Sequence, residues 1–346
     1  MNEPFRLGVA PDFYSEAREA TENVIAARLT GLPGIVVEPM PAGMGKEATP
    51  DVLARYDAIF ALATKVDAAS LEKSDRLLCV ARWGVGYDRI DTAALTAAGV
   101  VLTITPNAVK RPVAEAIFTF IFALSKNLLL QDRTARAGKW RGDLPKLGIN
   151  VGGSTLGSVG CGNIAREMFR QAQSLGFKRF LACDPFVTPD QVTGLNVELT
   201  DMDTVFRESD WVTVNTLLNS STQNLVKERH FRLMKPTAHF INTARGPIVE
   251  HAALVKALRE GWIAGAGIDV YPVEPPPADD PLFALDNVIV APHAMAWTDE
   301  LMRDNGFEAC DNVLAIAAGQ LPPGAVNREV FQNPHFQRKL ARWSRS

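Results

Sequence analysis

Eleven short apolar or β-branched runs recur along the chain, with segments of helical pattern between them. Five come first, near Arg6–Ala10, Ile35–Met40, Ala58–Ala63, Leu77–Ala81 and Val100–Ile104. Six follow, near Thr155–Val159, Arg179–Cys183, Trp211–Asn215, Ala238–Asn242, Gly265–Asp269 and Val288–Ala291. Near-continuous apolar strands alternating with helices imply parallel sheets covered on both faces. The break between the series predicts an α/β chain of two doubly wound parallel-sheet domains. At 346 residues and 47% hydrophobic, the chain can bury two sizeable cores. No fixed-period repeat or low-complexity segment interrupts the pattern, and Pro275-Pro276-Pro277 reads as a stiff loop.

Between the two series lies a helical stretch from Val113 to about Trp140 whose first half is apolar on nearly every face. Such a helix should be buried all round. A helix linking two domains is only partly covered by its own chain, so the expectation is a homodimer with this region in the interface. Burial within one subunit is the competing reading.

The balance of 36 basic and 39 acidic residues, net charge −3, gives no electrostatic reason to expect nucleic acid or an anionic membrane as partner. The longest apolar stretch, 116–125, is too short to cross a bilayer. The first residues lack a basic segment followed by an apolar one, so no signal peptide is expected. Cys79, Cys161, Cys183 and Cys310 show neither metal-ligand spacing nor a disulfide framework, which fits a reduced cytoplasm and no metal.

The stretch Thr155-Leu-Gly-Ser-Val-Gly160-Cys-Gly162-Asn-Ile-Ala165 reads as strand, tight turn and helix start. Gly160 permits the turn, Gly162 lets the backbone approach a pyrophosphate, and Ala165 allows close helix–strand packing. The helix N-terminus offers free amide donors and a positive dipole end. The next strand ends in Asp184, 22 residues after Gly162 and suited to holding ribose hydroxyls. A carboxylate there repels a 2′-phosphate, and Pro185 and Phe186 bring no cation, so NAD is expected over NADP. Cys161 in the turn reads as a small apolar spacer.

Three residues just past separate strands carry the remaining chemistry: Arg245, Glu274 and His293. In an open parallel sheet the strand C-termini form the ligand crevice. An Arg there can grip a carboxylate with two parallel N–H bonds and polarise a neighbouring carbonyl. His293 follows Pro292, which fixes its backbone. Glu274 lies 19 residues earlier in the proline-stiffened loop. A carboxylate beside the imidazole favours imidazolium, which can donate to a developing alkoxide and in reverse take the proton back. Of the other histidines, His230 reads as a helix-surface residue, His239 as a strand residue, His251 as a helix start and His335 as part of the tail.

In order along the chain, Arg82–Asp91, Val113-Ala-Glu115, the turn at Gly160–Ala165, Asn242-Thr-Ala-Arg-Gly246, Gly265–Tyr271 with Glu274-Pro275, and Ala291-Pro-His293 resemble the D-isomer-specific 2-hydroxyacid dehydrogenases. The resemblance runs from about Ala81 to Glu300. It implies an NAD-binding Rossmann domain (108–296) inserted in a flavodoxin-like substrate domain (1–107 and 297–346). The activity implied is interconversion of a D-2-hydroxy acid and its 2-keto acid. Arg245 would bind the substrate carboxylate and keto oxygen, His293 would be the acid/base and Glu274 its partner. Val85 and Gly86 would present amides to the carboxylate, with Arg82 and Trp297 also on the substrate side. Asp269 would hold the nicotinamide amide. Further cofactor contacts are expected at Gly160, Gly162, Asn163, Ile164, Asp184, Asn215, Thr216, Thr222, Thr243, Ala244, Arg245 and His293.

The chain departs from the family pattern in three places. Asn215-Thr-Leu-Leu-Asn219 stands where a His-x-Pro-Leu-Thr-like stretch is usual beside the cofactor. Ala294-Met-Ala-Trp297 replaces small residues after His293, so Met295 and Trp297 should reshape the pocket mouth. Asn107–Pro112 adds the basic pair Lys110 and Arg111. A second class of function shares this fold: an NAD(H)-sensing, corepressor-like binding protein. Turnover of NADH with 2-keto acids separates the two.

Overall fold

A computed structural model describes residues 3–344. The chain divides into two compact units. One holds the residues up to Val109 together with those from Trp297 onward, and the other is Lys110–Ala296.

The first unit contains β1 (Phe5–Val9), β2 (Ile35–Pro39), β3 (Ala58–Ala61), β4 (Cys79–Arg82) and β5 (Val101–Thr103) in an all-parallel sheet of order β2-β1-β3-β4-β5. Strands β3 and β5 are buried at every position, which explains their unbroken apolar runs. Phe13, Phe60 and Trp83 form the aromatic centre, with Trp83 ring centroids 4.8 Å from Phe13 and 5.5 Å from Phe60. The helix Asp299–Ala317 packs here because Gly306 has no side chain: a Cβ would lie within 2.7 Å of Val24 and Trp83. Lys339 fastens the last helix, its Nζ donating to the carbonyls of Ser74, Leu77 and Ala98 at 2.8–2.9 Å.

The second unit contains β6 (Thr155–Val159), β7 (Arg179–Cys183), β8 (Val197–Leu199), β9 (Trp211–Val214), β10 (His239–Asn242), β11 (Gly265–Ile268) and β12 (Val288–Val290). They form a parallel sheet of order β12-β11-β10-β9-β6-β7-β8. The order reverses between β6 and β9, the place where open α/β sheets leave a crevice beyond their strand ends. All eleven expected strands are present. The twelfth, β8, is a three-residue edge strand, only partly buried, and carries too little apolar signal to read in advance.

The long helical stretch differs from expectation. It begins at Pro106 and ends at Ser125, and a second helix, Leu128–Arg136, follows after a bend of 56°. The break falls at Asn127, whose left-handed backbone (φ 50°) cannot continue a helix. Ala114, Ile117, Phe118, Phe120 and Ile121 are buried in the second unit's core, whereas Phe122, Leu128, Leu129, Trp140, Leu147 and Ile149 are exposed. Burial is therefore one-sided. Among the described residues no single helix is long and apolar enough to cross a membrane.

Candidate active site

The glycine turn follows β6 directly. Gly160 has φ 94°, and a Cβ on it would sit 2.5 Å from the Asn215 carbonyl oxygen at the end of β9. Only glycine fits that contact. A Cβ on Gly162 would meet nothing within 4 Å, so the space above it is open. Gly162 caps the helix Asn163–Ala172 with no side-chain hydrogen bond. Open space over the N-terminus of a helix that lacks a side-chain cap fits a pyrophosphate. Ala165 is fully buried, as close helix–strand packing requires.

Asp184 does more than end β7. Its Oδ2 accepts from the Cys161 N–H at 2.8 Å and its Oδ1 from the Phe186 N–H at 2.9 Å. The carboxylate thus closes the glycine turn while keeping lone pairs for hydroxyl donors. Neither backbone contact was legible in the sequence, where Asp184 read only as a ribose holder. Cys161 is buried, and burial pushes its thiol up to about 11. An unreactive spacer matches that environment.

The structure places Asn215 with its side chain turned inward, donating to the hydroxyls of Ser158 and Thr213 at 2.9 Å. The Thr222 hydroxyl donates to the Leu217 carbonyl at 2.6 Å and so folds the Thr216–Thr222 loop on itself. Thr243 has a buried hydroxyl with no protein partner. Ala244 N–H donates to Asn242 Oδ1, and Asn242 Nδ2 donates to the Arg245 carbonyl, both at 3.0 Å. Asn242 therefore shapes the loop that delivers Arg245, a role its Asx-turn chemistry suits.

Register brings the three chemical groups to one edge of this unit. Asn242 pairs with Ile268 and Ile268 with Val290, so β10, β11 and β12 end at one level. Arg245, Asp269, Glu274 and His293 all lie just beyond those ends. His293 Nδ1 and Glu274 Oε2 are 2.8 Å apart. The other Glu274 oxygen, Oε1, accepts from the Tyr271 N–H at 3.1 Å. Burial opposes ionisation of Glu274, but His293, the Tyr271 N–H and the Arg245 charge together hold its carboxyl below the usual carboxylate range.

His293 sits in the left-handed region with φ 55°, a strained conformation for a side chain of its size. What secures it is Asp269, nearly buried, whose Oδ1 accepts from the Ala294 N–H at 3.0 Å and the Met295 N–H at 3.3 Å. Consecutive amides after such a residue form an anion nest, here filled by the protein's own carboxylate. Burial pushes the Asp269 carboxyl above its ordinary value, with the neighbouring His293 opposing the shift. The sequence offered no signal for this contact.

The remaining expected residues belong to the first unit. Arg82 ends β4, its guanidinium folded onto the Trp83 carbonyl. Val85 and Gly86 follow and are partly buried, and Trp297 is exposed. His230 is a correction: it is buried rather than on the helix surface, with Nδ1 accepting from the Lys227 N–H at 2.9 Å. Capping its own helix draws it inward, and burial lowers it to about 4. His239 stacks on Trp211 within the sheet, centroids 4.5 Å apart. Among the described residues no three His, Cys, Asp or Glu side chains gather to hold a metal ion.

Residues 118–295 match the model of the D-isomer specific 2-hydroxyacid dehydrogenase NAD binding domain. The chain is 38% identical to a glyoxylate reductase of Korarchaeum cryptofilum over 287 residues, 81% of this chain and 86% of that protein. It resembles the crystal structure of a glyoxylate reductase from Paecilomyes thermophila with a TM-score of 0.79 at 25% identity, covering 94% of this chain and 99% of that one. An NADPH-dependent glyoxylate/hydroxypyruvate reductase from Sinorhizobium meliloti, solved with NADP and malonate, gives 0.80 at 25% identity over 95% and 98%.

Proposed function

The chain belongs to the D-isomer-specific 2-hydroxyacid dehydrogenase family, and from that premise we propose that it is an NAD(H)-dependent reductase of small 2-keto acids in which His293, Glu274 and Arg245 carry the chemistry. As a family member it is an oxidoreductase of 2-hydroxy and 2-keto acids that uses a nicotinamide dinucleotide. The observation that carries the finer reading is the 2.8 Å contact of His293 Nδ1 with a Glu274 carboxylate that also feels the Arg245 charge.

When bound, NADH supplies the hydride. Arg245 binds the substrate carboxylate and polarises the keto oxygen. Glu274 occupies Nδ1 of His293, which leaves Nε2 as the nitrogen that gives its proton to the forming alkoxide. In the reverse direction neutral His293 takes the hydroxyl proton. Asp269 keeps the imidazole's backbone in place. Gly160, Gly162, Asn163 and Ile164 would receive the pyrophosphate, and Asp184 the adenosine ribose. The Asp184 carboxylate has no cation at Pro185 or Phe186 to offset a 2′-phosphate, which supports NAD over NADP.

The names of the relatives make glyoxylate and hydroxypyruvate the first substrates to assay. The substrate contacts expected of Arg82, Val85, Gly86 and Trp297 belong to the same proposal. Its test is NADH and NADPH oxidation against glyoxylate, hydroxypyruvate and longer 2-keto acids, with wild type and His293→Ala. Turnover that prefers NADH and collapses in the variant is expected. Tight NADH binding without turnover of any acid would instead support the sensor reading.

We also propose a homodimer through the region Val113–Trp140. The support is the exposed apolar set of Phe122, Leu128, Leu129 and Trp140, the last 74% exposed. Sedimentation should give twice the 37.7 kDa chain mass, and Leu128→Glu with Leu129→Glu should give the monomer.

A further inference from the structure

Three groups of the proposed site arrive on three different strand ends, and something must hold those ends in register beyond the last ladder hydrogen bond. One residue touches a segment beyond each of those ends. Tyr271 lies between Asp269 and Glu274 and is 5% exposed. Its N–H donates to Glu274 Oε1 at 3.1 Å. Its phenolic O–H donates to the Ala291 carbonyl at 3.1 Å, two residues before His293. Its own carbonyl lies against Gly246, next to Arg245: a Cβ on Gly246 would fall 1.9 Å from the Tyr271 carbonyl carbon.

We infer that Tyr271 is a positioning residue for the acid/base pair, its phenol tying the His293 loop to the loop that presents Glu274. The need for such a tie is visible in the local structure. Strand β12 is the edge of its sheet, and its last regular bond is the Ala291 N–H to the Ile268 carbonyl at 2.9 Å. Pro292 follows and has no N–H to extend the ladder. With no N–H at Pro292 to donate back to the sheet, the Ala291 carbonyl two residues before His293 is held by a buried hydroxyl instead. The ring is buried and stands edge-on to Phe283, centroids 5.9 Å apart. Burial pushes the phenol up to about 12, so it remains a donor at neutral pH. Phenylalanine would fill the same space and keep the backbone N–H on Glu274, but would release Ala291.

This inference rests on the acid/base reading of His293 and Glu274. Asp269 and Arg245 are the charged groups disposed around that pair, and Asp269, Asp280 and Glu274 face the Tyr271 phenol; none is altered by a change at Tyr271. The experiment is a double-mutant cycle on the full-length enzyme with Tyr271→Phe, Glu274→Gln and the pair, read as kcat for keto-acid reduction across pH, with NADH affinity measured separately. Tyr271→Phe should lower kcat roughly three- to tenfold, the size of one lost hydrogen bond. It should also move the high-pH limb of the reduction profile to lower pH and leave NADH affinity unchanged. In the Glu274→Gln background the same change should have little effect, because the contact it aligns is already gone. Tyr271→Phe with a wild-type kcat and profile overturns the inference, as does an equal loss in both backgrounds, which marks a merely structural residue. If Glu274→Gln itself leaves kcat and profile untouched, the acid/base reading falls and this one with it. Loss in Glu274→Gln alone retains that reading and removes only Tyr271.

Discussion

The glycine turn after β6 and the strand ends of β10–β12 both belong to the proposed site in the second unit, but they are built in opposite ways. The turn is contiguous in sequence and made mostly of backbone: a positive φ at Gly160, open space over Gly162 and free helix amides. Its chemistry depends on side chains being absent. The strand ends assemble side chains from positions 245, 269, 274 and 293, and their chemistry depends on alignment across three strands. A local device should fail through added atoms, and an assembled one through removed contacts.

The largest expected effect tests the assembled side. Replacing His293 by Ala should cut kcat for keto-acid reduction by roughly 10²–10⁴-fold, the usual span of general acid catalysis. NADH affinity, measured by fluorescence titration, should stay near wild type. If affinity falls as far as kcat, the two regions are not separable and the comparison breaks.

The reciprocal test adds one carbon. Gly160→Ala should abolish measurable NADH binding, because its Cβ would lie 2.5 Å from the Asn215 carbonyl oxygen and the backbone at φ 94° is itself unfavourable. The strain alone is about 1–3 kcal/mol. For a unit of this size about 2–4 °C of Tm is lost per kcal/mol, readable by calorimetry. A variant that binds NADH normally would show that the turn can relax.

Arg245→Lys should raise KM for the keto acid roughly 10–100-fold, since a two-pronged charged contact is lost, while NADH affinity changes little. Equal weakening of both ligands would contradict the assignment. With wild type, reduction should decline as pH rises and oxidation as pH falls, because each needs the opposite form of His293. Parallel pH–rate profiles would remove the relay.

The smallest effect sharpens the electrostatics. Glu274 titrates below the ordinary carboxylate value in the folded protein. The folded state therefore favours its ionised form. The stability this adds is present above the unfolded pKa and is lost as pH falls through the lowered folded one. The pair is more than a third exposed, so solvent screening keeps the contribution small. Glu274→Gln should slightly flatten the acid limb of stability against pH in urea titrations.

Legibility followed the same division. Most strands were readable because buried parallel strands are apolar throughout; the half-exposed β2 was legible from its β-branched run, and the three-residue β8 escaped. The turn was readable because glycine, glycine and a distant acid are chemically constrained at fixed spacing. Arg245, Glu274 and His293 could be put forward as candidates from strand-end positions. Their supports could not: Asp269 under the Ala294 and Met295 amides, Asp184 on the Cys161 amide and Tyr271 on the Ala291 carbonyl join segments through main-chain atoms that every residue carries. His230 was misplaced for a related reason, because capping its own helix turned a polar ring inward. Asn127 likewise broke a helix whose composition promised continuity.

The amino-acid sequence alone determined the alternation of strands and helices and the glycine turn, and it marked Arg245, Glu274 and His293 as the candidates for the chemistry, because these follow from burial, backbone freedom and ionisable groups at single positions. Only the tertiary structure decided how those candidate groups are held. A backbone N–H or carbonyl has no sequence signature, and which one meets a given carboxylate or phenol is settled by strand register and packing.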